Sequence, residues 1–235
     1  MAADPPPKKH SPRGPLIAIA SLVVFLSLLL MGYFILEPFR PTVQADFSDP
    51  ATISVEIAVL LLQTGDEQER RSALMQLVHV GAEKPLAECL ASNDSTVVQL
   101  ATSGLWECWL NEAGNDARET MEAGVLAMND GALDEAASIF RKLMARYPHW
   151  AEAANKMATV LYLQGMPKES SVLCRQVVAL KPDHFGAWNG LALCAIQVED
   201  WPLALQAVEQ SLRLQPNSVS NRQLLRLVKS RITQV

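Results

Sequence analysis

The sequence predicts an all-α chain in which one membrane-spanning helix precedes an α-solenoid of helix-turn-helix repeats. Three observations carry that expectation. Composition favours helix: the 235 residues are 49% hydrophobic and 19% charged, with only eleven glycines, and the helix formers Leu and Ala are the two commonest residues. An uncharged apolar run of 22 residues fills positions 15–36. Pro148, Pro182 and Pro216 recur at intervals of 34 residues. So apolar a chain is no disordered tail. The net charge of −5, from 20 Lys and Arg against 25 Asp and Glu, gives no basic face for nucleic acid.

Residues 1–14 set Pro5, Pro6, Pro7 and Pro12 among Lys8, Lys9, His10 and Arg13, which predicts a basic tail without packed structure. The run 15–36 matches the roughly 20 residues a helix needs to cross a bilayer core of about 30 Å, with Tyr33 placed as an interfacial anchor. A buried core helix and a cleaved signal peptide are the competing readings. The first would carry more polarity than Ser21 and Ser27 supply, and the second calls for an apolar stretch of only about 7–15 residues. Pro38, Pro41 and Pro50 make 37–50 a stalk. Lys8, Lys9 and Arg13 precede the span and only Arg40 closely follows it, so the basic-side-in rule puts the domain beyond it outside the cytoplasm. In a bacterium that is the periplasm. A cytoplasmic-facing domain is the alternative topology.

Aligning the chain on the three prolines yields blocks 117–150, 151–184 and 185–218, each splitting into two helical patterns around a short turn. The first block carries Gly124, Gly131, Ala136, Phe140 and Pro148; the second Leu161, Gly165, Ser170, Cys174 and Pro182; the third Trp188, Leu191, Ala204 and Pro216. On these residues the chain resembles the tetratricopeptide repeat (TPR) family, with Glu199-Asp200 departing from the turn glycine of the third repeat. The resemblance implies a right-handed superhelix whose small residues let helices approach while Leu, Phe and Trp fill the space between neighbours. Residues 219–235, with Leu224, Leu225, Leu227 and Val228 backed by Arg222, Arg226, Lys229 and Arg231, read as the capping helix. Residues 51–112 lack the 34-residue pattern, remain helical, and resemble a single HEAT or armadillo unit or an irregular helical adaptor. Ser92-Asn93-Asp94-Ser95 is the expected helix cap within them.

The family resemblance also implies a concave groove, lined by the first helix of each repeat, that binds a protein or peptide partner. The matching positions are Met121, Val125 and Met128, then Asn155, Thr159 and Tyr162, then Asn189, Leu193 and Ile196. The two asparagines are expected to be exposed and to grip a ligand backbone; Trp188 is expected to pack. Some family members clamp acidic tails with Lys, Asn and Arg, but Met121, Val125, Lys156, Gly186 and Gly190 occupy those spots, which disfavours such a ligand. No Walker loop, nucleophile elbow, HExxH or dinucleotide fingerprint is present, and no C-x-x-C joins Cys89, Cys108, Cys174 and Cys194. No catalytic, cofactor or metal residues are therefore expected. The cysteines read as buried thiols, with one disulfide open to them in an oxidising compartment. The expectation is a membrane-anchored interaction scaffold. A periplasmic or lumenal assembly factor, handling clients of a membrane complex, is the alternative.

Topology has a built-in reporter, because Asn93-Asp94-Ser95 is an N-glycosylation acceptor. Expression in a eukaryotic secretory system should add one glycan, removable by glycosidase and absent from Asn93→Gln. A chain that stays unmodified, with its repeats digested by protease from the cytoplasmic side of sealed vesicles, would reverse the orientation.

Overall fold

The computed structural model describes residues 53–233. The tail 1–14, the expected span 15–36 and the whole of the stalk 37–50 lie outside the described residues, within which no helix is long and apolar enough to cross a membrane. The described residues are all-α. A first group comprises α1 (Val55–Thr64), α2 (Glu67–His79), α3 (Glu83–Cys89) and α4 (Ser95–Asn111). The array follows as α5 (Asn115–Asn129), α6 (Leu133–Arg146), α7 (Ala151–Leu163), α8 (Pro167–Leu180), α9 (Phe185–Gln197) and α10 (Trp201–Leu214), and α11 (Val219–Ile232) closes it.

The 34-residue period is physical. Leu133, Pro167 and Trp201 begin the second helices at that interval, and Ala151 and Phe185 begin successive first helices at the same spacing. Each turn between paired helices closes the same way: the amides of Ala132, Met166 and Asp200 reach back to the carbonyls of Ala127, Leu161 and Ala195 at 2.8–2.9 Å. That six-residue closure is the Schellman motif, which requires a left-handed residue just past the helix. Gly131 at φ 78° and Gly165 at φ 76° supply it, and Glu199 is forced to φ 59° in the third repeat. Gly81, at φ 64°, repeats the motif between α2 and α3.

The crossings inside each pair match in volume. A Cβ on Gly124 would lie 2.5 Å from the Phe140 ring, so α5 meets α6 only because that position is bare. In the next two repeats the opposing residues shrink to Cys174 and Val208, and Ala158 and Ala192 take the glycine's place, all buried. As the second-helix residue shrinks from Phe to Cys and Val, the first-helix position gains a methyl, so the summed volume at these equivalent positions changes less than either side chain alone. α11 packs on α10 through Leu224 and Val228, with its basic side outward.

The first group has its own core of Leu62, Leu74, Leu77, Leu86 and Leu105. Asp66 caps α2 through a full capping box with Glu69, and Asp94 caps α4 by accepting from Thr96 N–H. Gly104 lets α4 cross α2 and α3, since a Cβ there would sit 2.6 Å from Leu74. Asn93, in the α3–α4 turn, is exposed.

Because a non-glycine residue in the left-handed region costs about 1–2 kcal/mol, Glu199→Gly should stabilise the fold by up to about 1 kcal/mol after the added chain entropy of glycine is subtracted. Gly131→Glu should destabilise it by about the same amount or more. Urea midpoints at constant slope check both, and a loss of stability in Glu199→Gly would show that the turn owes its shape to something other than backbone strain.

Candidate interaction surface

The helix that matters most for the first-helix face is α4. It carries Trp106 and Trp109 one turn apart, and both rings land on the array. Trp109 stacks on His184 with ring centres 4.0 Å apart and planes at 17°. Trp106 meets His184 and Phe185 edge-on, at 5.5 and 5.3 Å. Its six-membered ring also covers Gly186 so closely that a Cβ there would lie 2.7 Å away. The Trp150 indole N–H donates to the Trp109 carbonyl at 2.7 Å, buried, and the Trp109 indole donates to Glu83 at 2.9 Å. Glu107 on the same helix takes the Arg118 guanidinium at 2.6 Å, and Arg118 also holds Glu122.

Beneath the two rings lies a buried ionic cluster. Glu152, in the first turn of α7, has no solvent exposure. Its Oε1 meets the Lys156 ammonium at 2.9 Å; its Oε2 accepts from His184 Nε2 at 3.0 Å and from Asn155 Nδ2 at 3.2 Å. His184 caps α9 by accepting the Ala187 amide at Nδ1, 3.1 Å away, so the imidazole proton resides on Nε2 and points at the carboxylate. Lys156 completes the set with its ammonium 4.8 Å from the Trp106 ring centre. Burial pushes the Glu152 carboxyl up, but the Lys156 charge and the His184 hydrogen bond outweigh it and hold the group below its ordinary range. Glu152 is a structural anion.

The outer rim is tied as well. Lys181, in the α8–α9 connection, pairs with Glu83 at 2.7 Å and Glu112 at 3.2 Å. Asn217, in the α10–α11 connection, donates to the Ser92 carbonyl at 2.9 Å. The connections between repeats thus seat the α3–α4 layer, while on the first helices Lys156 is paired with Glu152 and Gly186 is roofed by the Trp106 indole.

This changes where the expected groove residues stand. Met121, Met128, Leu193 and Ile196 are buried. Asn155 is buried and spent on Glu152. Asn189 is buried and accepts from Ser211 Oγ at 2.5 Å, in a chain that Asn221 extends by donating to Ser211 at 2.7 Å. Neither asparagine is an exposed grip; each satisfies a buried polar neighbour, so removing it leaves that neighbour without a partner. Val125, Thr159 and Tyr162, on α5 and α7, stay half-buried and face solvent in part. Trp188, expected to pack, is half-buried and donates to the Pro182 carbonyl at 2.8 Å. Trp106, Trp109 and Glu152 escaped notice in the sequence. The local signal is the pair of tryptophans three residues apart, on one face of α4.

The four cysteines are buried and free. Burial pushes the Cys108 thiol up to about 12. Cys174 is held well above the ordinary thiol range by its hydrogen bond with Cys194 and by burial. Both His184 ring nitrogens are engaged, one by the Glu152 carboxylate and one by the Ala187 amide.

Glu152 makes the fold acid-sensitive in a defined window. A carboxyl whose folded pKa lies below its ordinary 4.5 contributes stability in full above that value and loses it as pH falls through the lower folded value. Glu152→Gln should cost about 2–3 kcal/mol at neutral pH by leaving Lys156 unpaired, and should flatten the fall in stability below pH 4.5. An unchanged urea midpoint at neutral pH would show that the ion pair does not hold the layers together.

No protein-family model matches the chain, and no curated protein does. Among solved structures, the first TPR domain of Spaghetti (RPAP3), bound to the HSP90 peptide SRMEEVD, is 20% identical with a TM-score of 0.49, covering 50% of this chain and 93% of its own. The Sgt2 TPR domain from Aspergillus fumigatus is 17% identical with a TM-score of 0.49, covering 51% and 80%. MamA from Desulfovibrio magneticus RS-1 is 21% identical with a TM-score of 0.47, covering 66% and 85%. The chain is similar to these arrays, and the reading of its fold as tandem helix-turn-helix repeats stands on its own period, turns and crossings.

Proposed function

We propose that this chain is a protein-interaction scaffold, held at a membrane by residues 15–36, whose partner binds the uncovered part of the first-helix face. The observation that supports this most is the division of that face. α4 closes the rows beginning at Arg118, Glu152 and Gly186, while Val125, Thr159 and Tyr162 stay half-open on neighbouring helices. A hydroxyl, a phenol and an apolar side chain on a rigid helix pair suit a short amphipathic segment of another protein. The ionic and aromatic lock behind them keeps the face preformed, which lowers the ordering cost of binding.

The anchor and the outward topology complete the proposal. They rest on the apolar run and on the basic residues before it. A scaffold holds its partner stably; an assembly factor, the other reading, releases its clients. A photo-reactive residue placed at Val125 or Thr159 should give discrete adducts in membranes, whereas the same residue at Arg175 or Glu209, exposed on the second helices, should not. Adducts that form equally from both sets, or from the second set alone, would move the binding face to the convex side.

A further inference from the structure

The two terminal helices of the array carry exposed faces that match each other. On α5, Asp116, Glu119, Ala123 and Leu126 follow one another at steps of three, four and three residues and are all exposed, which places them on one stripe. On α11, Val219, Arg222, Arg226 and Lys229 follow at the same steps and are all exposed too. One stripe ends in two acids and the other in bases. Leu126 and Val219, at 61% and 64%, are the most exposed large apolar side chains among the described residues. Asp116, Glu119, Arg226 and Lys229 have no ion-pair partner among the described residues. Arg222 is turned back onto the Pro216 carbonyl and Asn217, and Arg226 Nε reaches the Arg222 carbonyl at 3.4 Å.

We propose that α11 of one copy docks antiparallel on α5 of a second copy, joining arrays head to tail. In that register Leu126 meets Val219, Ala123 lies opposite Arg222, Glu119 meets Arg226, and Asp116 meets Lys229. The small side chain of Ala123 lets the helices approach at the contact, and the apolar pair at one end is desolvated beside two charge pairs at the other. Two features favour a second copy over an unrelated partner. The complementary stripes belong to the same chain and share one spacing, and each is incomplete alone: an acid row with a lone leucine, a basic row with a lone valine. Because donor and acceptor faces differ, the contact is heterologous. It propagates as an open row of copies unless the rotation closes a ring.

Reversing charge tests it. Sedimentation of the full chain in non-ionic detergent at low salt should show concentration-dependent association that weakens as salt is added. Glu119→Lys and Arg226→Glu should each weaken it about tenfold, since a reversal turns an attraction into a repulsion of similar size. Mixing the two variants should restore association, as should combining both changes in one chain. Circular dichroism should show all three variants equally helical. A monomer at every concentration, association indifferent to both reversals, or single reversals that neither mixing nor combination rescues would each overturn the proposal.

Discussion

A buried carboxylate organises this molecule. Glu152 sits without solvent in the first turn of α7, where it collects an ammonium, an imidazole and an amide at 2.9–3.2 Å. An ion so placed would cost several kcal/mol if it were unpaired. The surrounding residues answer that cost jointly. Lys156 supplies charge from the next turn, His184 supplies a proton fixed by its own capping bond, and Trp106 and Trp109 exclude water from above. Since His184 begins α9 and the tryptophans lie on α4, one anion links two repeats with the helical group before them. The aromatic stack and the Lys181 and Asn217 contacts extend this link along the connections between repeats.

The consequence for function is a division of labour along the first helices. The beginnings of α7 and α9 are structural, covered by α4, and the open positions lie further along α5 and α7, at Val125, Thr159 and Tyr162, while α9 is buried from Leu191 to Ile196. A repeat array exposes its first-helix face for binding only where nothing else is stacked on it. Here the chain's own helix α4 covers the first turns at Glu152 and Gly186. Rigid backing then serves the rest: Val125 sits on α5, held against α6 where Gly124 meets Phe140, and Thr159 and Tyr162 sit on α7, held against α8 by Ser170 donating to the Ala158 carbonyl at 2.7 Å.

Much of this was legible in the sequence, for a physical reason. A solenoid is built from contacts between neighbours, so its rules are local and repeat in register. The prolines at 148, 182 and 216 mark second-helix ends, and Gly131 and Gly165 mark turns that need a left-handed residue. Even the departure at Glu199-Asp200 was visible, and its cost appears as a positive φ at Glu199. The candidate site was legible only as a face. Spacing located the first-helix positions but not what covers them. Glu152 reads locally as an acid suited to a helix start, Trp106 and Trp109 as the core of their own helix, and Asn155 and Asn189 as exposed polar groups. Each takes its role from a partner that the periodic pattern does not encode: Trp106 is 80 residues before Gly186. Long-range burial, unlike periodicity, leaves no local mark.

The central claim is that the α4 layer and the repeats form one cooperative body locked through Glu152. Native-state hydrogen exchange, followed by mass spectrometry across a low-denaturant series, measures this directly. The account predicts that amides of α4 and of α7 and α9 open together, with one free energy and one denaturant dependence. Exchange of α4 at a clearly lower free energy, while α7 and α9 stay protected, would contradict it and return the first-helix face to an open groove with a loosely held cover.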